Sequence, residues 1–160
     1  MWKNADGISL VQGKYEIDIL NRLGMMGCKA MTTPMASNLN LLSDASSESV
    51  NAMMYCQMIG SLMYLMNTRP DIFFVVNTLI HFLIDPRHIH LIAAKHILRY
   101  LKGTVDYGLK YETNQKINLE GYVDLDWEGS AIDRKSTSGC FFSMGLGVIS
   151  WFRKNNLVWH

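Results

Sequence analysis

Leu119-Glu120-Gly121-Tyr122-Val123-Asp124-Leu125-Asp126 is the stretch on which the reading of this chain turns. A strand repeats every two residues. Glu120, Tyr122, Asp124 and Asp126 therefore share one face, and Leu119, Gly121, Val123 and Leu125 the other. Carboxylates two positions apart on a strand lie about 7 Å from each other. Hard cations such as Mg²⁺ take oxygen ligands from several carboxylates, so Asp124 and Asp126 make a partial metal site. Two-metal phosphoryl-transfer chemistry needs further acids from other elements. After Asp133 the sequence holds no Asp or Glu, so the pair has no later partners.

Outward from this strand the period of two continues. Tyr107 to Tyr111, Ile117 to Leu125, Thr137 to Met144 and Val148 to Phe152 read as strands. Asn114-Gln115, the loop from Gly129 to Lys135, and Gly145-Leu146-Gly147 separate them, so consecutive antiparallel pairing is expected. Gly145-Leu146-Gly147 reads as a hairpin turn and not a phosphate loop, because no helix follows it.

Before residue 103 the period is helical. Ile8 to Gln12 is a short strand after an Asp6-Gly7 turn, and Lys14 to Leu23 is an amphipathic helix stopped by Gly24. Thr32 to Ser49, rich in Ser, Thr, Asn and Pro, reads as a linker. Tyr55, Ile59, Leu62, Met63 and Met66 make the apolar stripe of a helix. Thr68-Arg69-Pro70-Asp71 is a helix start with Thr68 as N-cap. The helix it opens is expected to run to about Ile84, where Asp85-Pro86 breaks it. A last helix spans His88 to Lys102 and packs through Leu91, Ala94, Leu98 and Leu101. Its other face aligns Lys95, Arg99 and Lys102.

The 160 residues are 49% hydrophobic and 18% charged, an ordinary globular composition, and the net charge of +1 argues for neither nucleic acid nor membrane. The local distribution says more. Arg87 to Val105 holds four basic residues and three histidines without an acid. Charge alone leaves two readings of that face, a phosphate contact or a solvated helix surface. Cys28, Cys56 and Cys140 form no CxxC pattern, so free thiols in a reducing compartment are expected. His88, His90 and His96 do not share a face cleanly, so helix-start packing is preferred to zinc. Ser136-Thr137-Ser138 has no triad-like partner. The N-terminus lacks a signal-peptide pattern, and Ile72 to Ile84 is too short to cross a bilayer. An intracellular, soluble chain is expected, with its oligomeric state left open.

Several phrases, taken in order, resemble the copia-type (Ty1/copia) retrotransposon Pol polyprotein at the junction of reverse transcriptase and ribonuclease H. They begin with Gly7-Ile8-Ser9-Leu10, Gly60-Ser61-Leu62-Met63-Tyr64-Leu65 and Thr68-Arg69-Pro70-Asp71-Ile72. Ala93 to Thr104, Gly121-Tyr122-Val123-Asp124-Leu125-Asp126-Trp127, Asp133 to Gly139 and Ile149-Ser150-Trp151 follow. The likeness runs over roughly residues 7 to 154. It implies an α+β chain in which a helical thumb/connection unit precedes an incomplete ribonuclease-H-like antiparallel sheet. Residues 1–30 would end the polymerase palm and begin the thumb. Residues 31–49 would be the linker, 50–104 the helical thumb and connection, and 105–160 the first nuclease strands.

The resemblance implies that Asp124 matches the first nuclease carboxylate and that Asp126 is a second acid beside it. It implies Mg²⁺ as cofactor, and an RNA–DNA hybrid or primer–template as partner, met by Lys95, Arg99 and Lys102. Leu125 and Glu128 stand where the family usually has small residues. The polymerase pair of consecutive aspartates is absent, and the later nuclease acids would lie beyond residue 160. A segment inactive on its own is therefore expected. The alternative is a non-catalytic remnant that binds nucleic acid or another partner.

Overall fold

The computed structural model describes residues 2–4, 6–36, 41, 48–112, 118–126, 135–144 and 147–157. The fold is mixed α+β, with four α-helices and two three-stranded sheets among the described residues. It divides into two compact units, Val11–Gly108 and Met1–Leu10 with Leu109–His160.

The first unit holds helices α1 (Gly13–Arg22), α2 (Ala52–Leu65), α3 (Phe73–Ile80) and α4 (His88–Gly103) around one apolar core. Gly24 stops α1 as expected, taking φ +67, a left-handed conformation that glycine adopts without penalty. The amide of Met25 then reaches back to the Leu20 carbonyl at 2.7 Å. Asn51 caps α2 by accepting from the Met54 amide at 3.0 Å. The buried face of α2 is Tyr55, Met58, Ile59, Leu62 and Leu65. Met63, expected in that stripe, is 42% exposed, because it lies beyond the edge of the arc centred on Ile59 and Leu62. In α4, Leu91, Ala94, Leu98 and Leu101 are buried as the spacing predicts.

The helix expected over residues 68–84 is shorter and starts differently. Arg69 stands as cap of a 3₁₀ turn, Pro70–Ile72, which leads into α3. Thr68 is not the cap. Its hydroxyl donates to Oε1 of Gln12 at 2.6 Å. The α-helix ends at Ile80, after which Phe82 and Leu83 bond three residues back, tightening the chain before Asp85-Pro86. The C-terminal end of the expected linker is tied down, since His88 donates to the Glu48 carbonyl at 2.9 Å and Val50 to that of Pro86 at 3.1 Å. Residues 37–40 and 42–47 of that linker lie outside the described residues.

The second unit carries β1 (Trp2–Asn4), β2 (Gly7–Val11) and β3 (Gly108–Glu112) in the order β1-β2-β3. The expectation that β3 pairs with the next strand in sequence is thus corrected. Gly7 supplies the physical reason. A Cβ built there would sit 2.0 Å from the Tyr111 carbonyl oxygen, so only glycine admits this strand. The other sheet is an antiparallel meander, β4 (Leu119–Asp126), β5 (Lys135–Met144) and β6 (Gly147–Leu157). Tyr122 pairs with Phe141, their rings stacked at 5.0 Å, and Phe141 pairs with Trp151. The expected turns at Asn114-Gln115, 129–134 and Gly145-Leu146 lie outside the described residues, as do Ile117, Val158 and Trp159.

Candidate nucleic-acid interface

Helix α4 sets its cations by a simple rule. Its core face is filled by Leu91, Ala94, Leu98 and Leu101, so Lys95, Arg99 and Lys102 must point away from the core. Lys95 is exposed, while Arg99 and Lys102 are half-buried. The segment after α1 accounts for that difference. Arg99 donates through Nε to the Lys29 carbonyl at 2.8 Å, and Lys102 donates through Nζ to the Cys28 carbonyl. The Met31 amide returns a bond to the Arg99 carbonyl at 3.1 Å. Nε2 of His96 donates to the Thr33 carbonyl at 3.0 Å. Residues 28–33 therefore lie along the cationic side of α4.

Asp124 and Asp126 both fall within β4, with backbone partners Gly139 and Thr137 on β5. Their side chains lie outside what is described. Among the described residues, no group of three or more His, Cys, Asp or Glu side chains comes together to hold a metal ion. Two carboxylates on one strand do not by themselves fit a Mg²⁺ pair.

His90 belongs to the helix start. Its Nδ1 accepts the Arg87 amide at 3.0 Å, its Nε2 donates to the Leu41 carbonyl at 3.1 Å, and its ring stacks on Phe82 at 3.8 Å. Burial holds its pKa below the usual histidine range, which keeps Nδ1 free to accept.

Sequence reasoning missed the most heavily bonded side chain of this unit. Arg69 is fully buried and forks onto Asp71, through Nε at 3.0 Å and Nη2 at 2.8 Å. Its Nη1 donates to Glu16 Oε1 at 2.8 Å and to the Thr104 carbonyl at 3.0 Å, and its Nη2 also reaches the Thr104 hydroxyl at 2.7 Å. The rings of Tyr100 and Tyr107 flank the guanidinium at 5.6 and 5.7 Å. Burial pushes the Glu16 carboxyl up to about 7, against the pull of Arg69, and Glu16 Oε2 has no hydrogen-bond partner. Asp71 also feels burial, but the bonds and charge of Arg69 hold it below the usual carboxylate range. The one sequence signal is an arginine beside Pro70 that ends an uncharged stretch running from Ser49 to Thr68.

Comparison with known proteins adds an independent line. The chain is 37% identical over 151 residues to an uncharacterized mitochondrial protein of Arabidopsis thaliana, covering 94% of this chain and 62% of that one. It is 39% identical over 148 residues to the retrovirus-related Pol polyprotein from transposon RE1 of Arabidopsis thaliana, covering 92% of this chain and 10% of the polyprotein. It is 38% identical over 152 residues to the retrovirus-related Pol polyprotein from transposon TNT 1-94 of Nicotiana tabacum, covering 91% of this chain and 11% of the relative. The chain thus spans under two thirds of the first relative and about a tenth of each polyprotein. No family model matches it, and no solved structure does.

Proposed function

Because this chain belongs to the copia-type retrotransposon Pol polyproteins, we propose that it is a segment from the junction of reverse transcriptase and ribonuclease H that grips a primer–template or RNA–DNA hybrid. The helical unit takes the role of thumb and connection. The β4-β5-β6 meander takes that of the first strands of a ribonuclease-H-like sheet, with Asp124 as first nuclease carboxylate and Asp126 beside it. The observation that carries the reading is the cationic side of α4, where Lys95, Arg99 and Lys102 occupy one surface with no acid between Arg87 and Val105. Polyphosphate backbones are bound by such surfaces without regard to base sequence, at the cost of strong salt dependence. In sequence-order connection and antiparallel pairing, the meander also suits the nuclease assignment.

Two carboxylates fall short of the ligand set that phosphodiester hydrolysis requires, so the expected activity is binding without cleavage. A labelled RNA–DNA hybrid incubated with the chain and Mg²⁺ tests this. Salt-sensitive binding with intact hybrid is expected. Cleavage abolished by Asp124→Asn would instead establish a working nuclease. Absence of any salt-sensitive binding would remove the reading altogether.

A further inference from the structure

The segment that crosses α4 has a charge pattern of its own. From Ile19 to Ser43 the sequence holds no Asp or Glu, and from Pro86 to Val105 it again holds none. These stretches are far apart in sequence, yet the structure lays residues 28–33 of the first along the cationic side of the second. Lys29 is exposed and stands on the peptide whose carbonyl Arg99 grips. Arg99 uses only Nε for that bond. Among the described residues, its two terminal nitrogens take no hydrogen bond. An arginine held at Nε has its guanidinium plane set in advance, which leaves the outer nitrogens as an oriented fork for a phosphate. Orientation achieved before binding reduces the ordering cost of the encounter.

We propose that residues 28–33 and α4 form a single phosphate-binding face, to which Lys29 contributes a fourth cation and the Lys29 carbonyl an orienting contact on Arg99. The inference rests on the duplex-binding reading above. It differs from that reading in assigning a role to a segment that would otherwise mask Arg99 and Lys102.

The test is fluorescence anisotropy of a labelled RNA–DNA hybrid against salt, with the whole chain and its Lys29→Ala, Lys95→Ala, Arg99→Lys and Lys110→Ala variants. Lys29→Ala and Lys95→Ala should each weaken binding several-fold at about 0.1 M salt and lower the log–log salt slope by roughly 0.7 to 0.9, one phosphate contact each. Arg99→Lys keeps the charge but cannot form the planar fork, so it should weaken binding while leaving the slope unchanged. Lys110→Ala should leave both quantities as they are. If Lys29→Ala retains the wild-type slope while Lys95→Ala lowers it, the segment is no part of the face. If Arg99→Lys binds as tightly as wild type or more tightly, the orienting contact is overturned. A wild-type chain that binds no hybrid would remove the proposed function together with this inference.

Discussion

Arg69 shows how much one side chain can decide. It joins α1 through Glu16 and the end of α4 through Thr104, both out of water, and its own turn through the partly exposed Asp71. Removing one partner of such a set leaves charge buried and unpaired. Arg69→Ala should therefore destabilise the helical unit by about 3 to 5 kcal/mol, read as the shift in a urea midpoint. Glu16 gives a pH signature with a definite sign. Its folded pKa of about 7 lies above the ordinary carboxylate value of 4.5, so across that window the folded chain holds more protons than the unfolded one. Its contribution to stability is thus present at low pH, declines as pH rises through the window, and levels off above about 7. Asp71 acts oppositely, and its contribution is lost only in acid. Chemical denaturation of wild type and Glu16→Gln between pH 5 and about 8 checks this. The variant should lose the decline, and parallel curves would count against the assignment. Gly7 is the other decisive residue, and in the sequence it shows as half of a turn signal and the start of a family phrase, neither of which reports its tight packing. A methyl group there would collide with the Tyr111 carbonyl, so Gly7→Ala should cost about 3 kcal/mol or more, measured by the same denaturation.

Among the elements, α2 and α4 were legible for different reasons. α4 alternates core and cationic faces at helical spacing, so both its extent and its buried residues could be read directly. α2 has no charged residue to mark its outer face, so the apolar spacing includes Met63 although that residue is exposed. Gly60 stands in the middle of that helix with open space where a Cβ would point. Gly60→Ala should raise the stability of the helical unit by roughly 0.5 to 1 kcal/mol, seen as a higher thermal midpoint. An unchanged or lower midpoint would mean the glycine is needed within the chain itself. The apolar spacing of α3 continues through Phe82 and Leu83, whereas the helix ends at Ile80 and the backbone has already tightened before Pro86. Spacing records which side a residue faces, and it does not record where hydrogen bonding changes from four residues to three.

For the whole molecule, the core lies in Val11–Gly108, where residues from all four helices are buried together. In the β4-β5-β6 meander, by contrast, Leu119, Tyr122, Val123, Ile149 and Phe152 are exposed. Amide exchange should therefore be slowest in α2 and α4 and faster by orders of magnitude in the meander. Uniform protection across both would contradict this. Sequence alone determined the family, the alternation of helical and strand segments, the cationic side of α4 and the strand that carries Asp124 and Asp126. Each of these is written in neighbouring residues, through a period or a phrase. Tertiary structure alone decided the burial of Arg69 with Glu16 and Thr104, the placement of β3 beside β2, and the crossing of residues 28–33 over Arg99 and Lys102. These pairings join residues tens of positions apart through a carbonyl, a missing Cβ or a shared charge, and no local period encodes them.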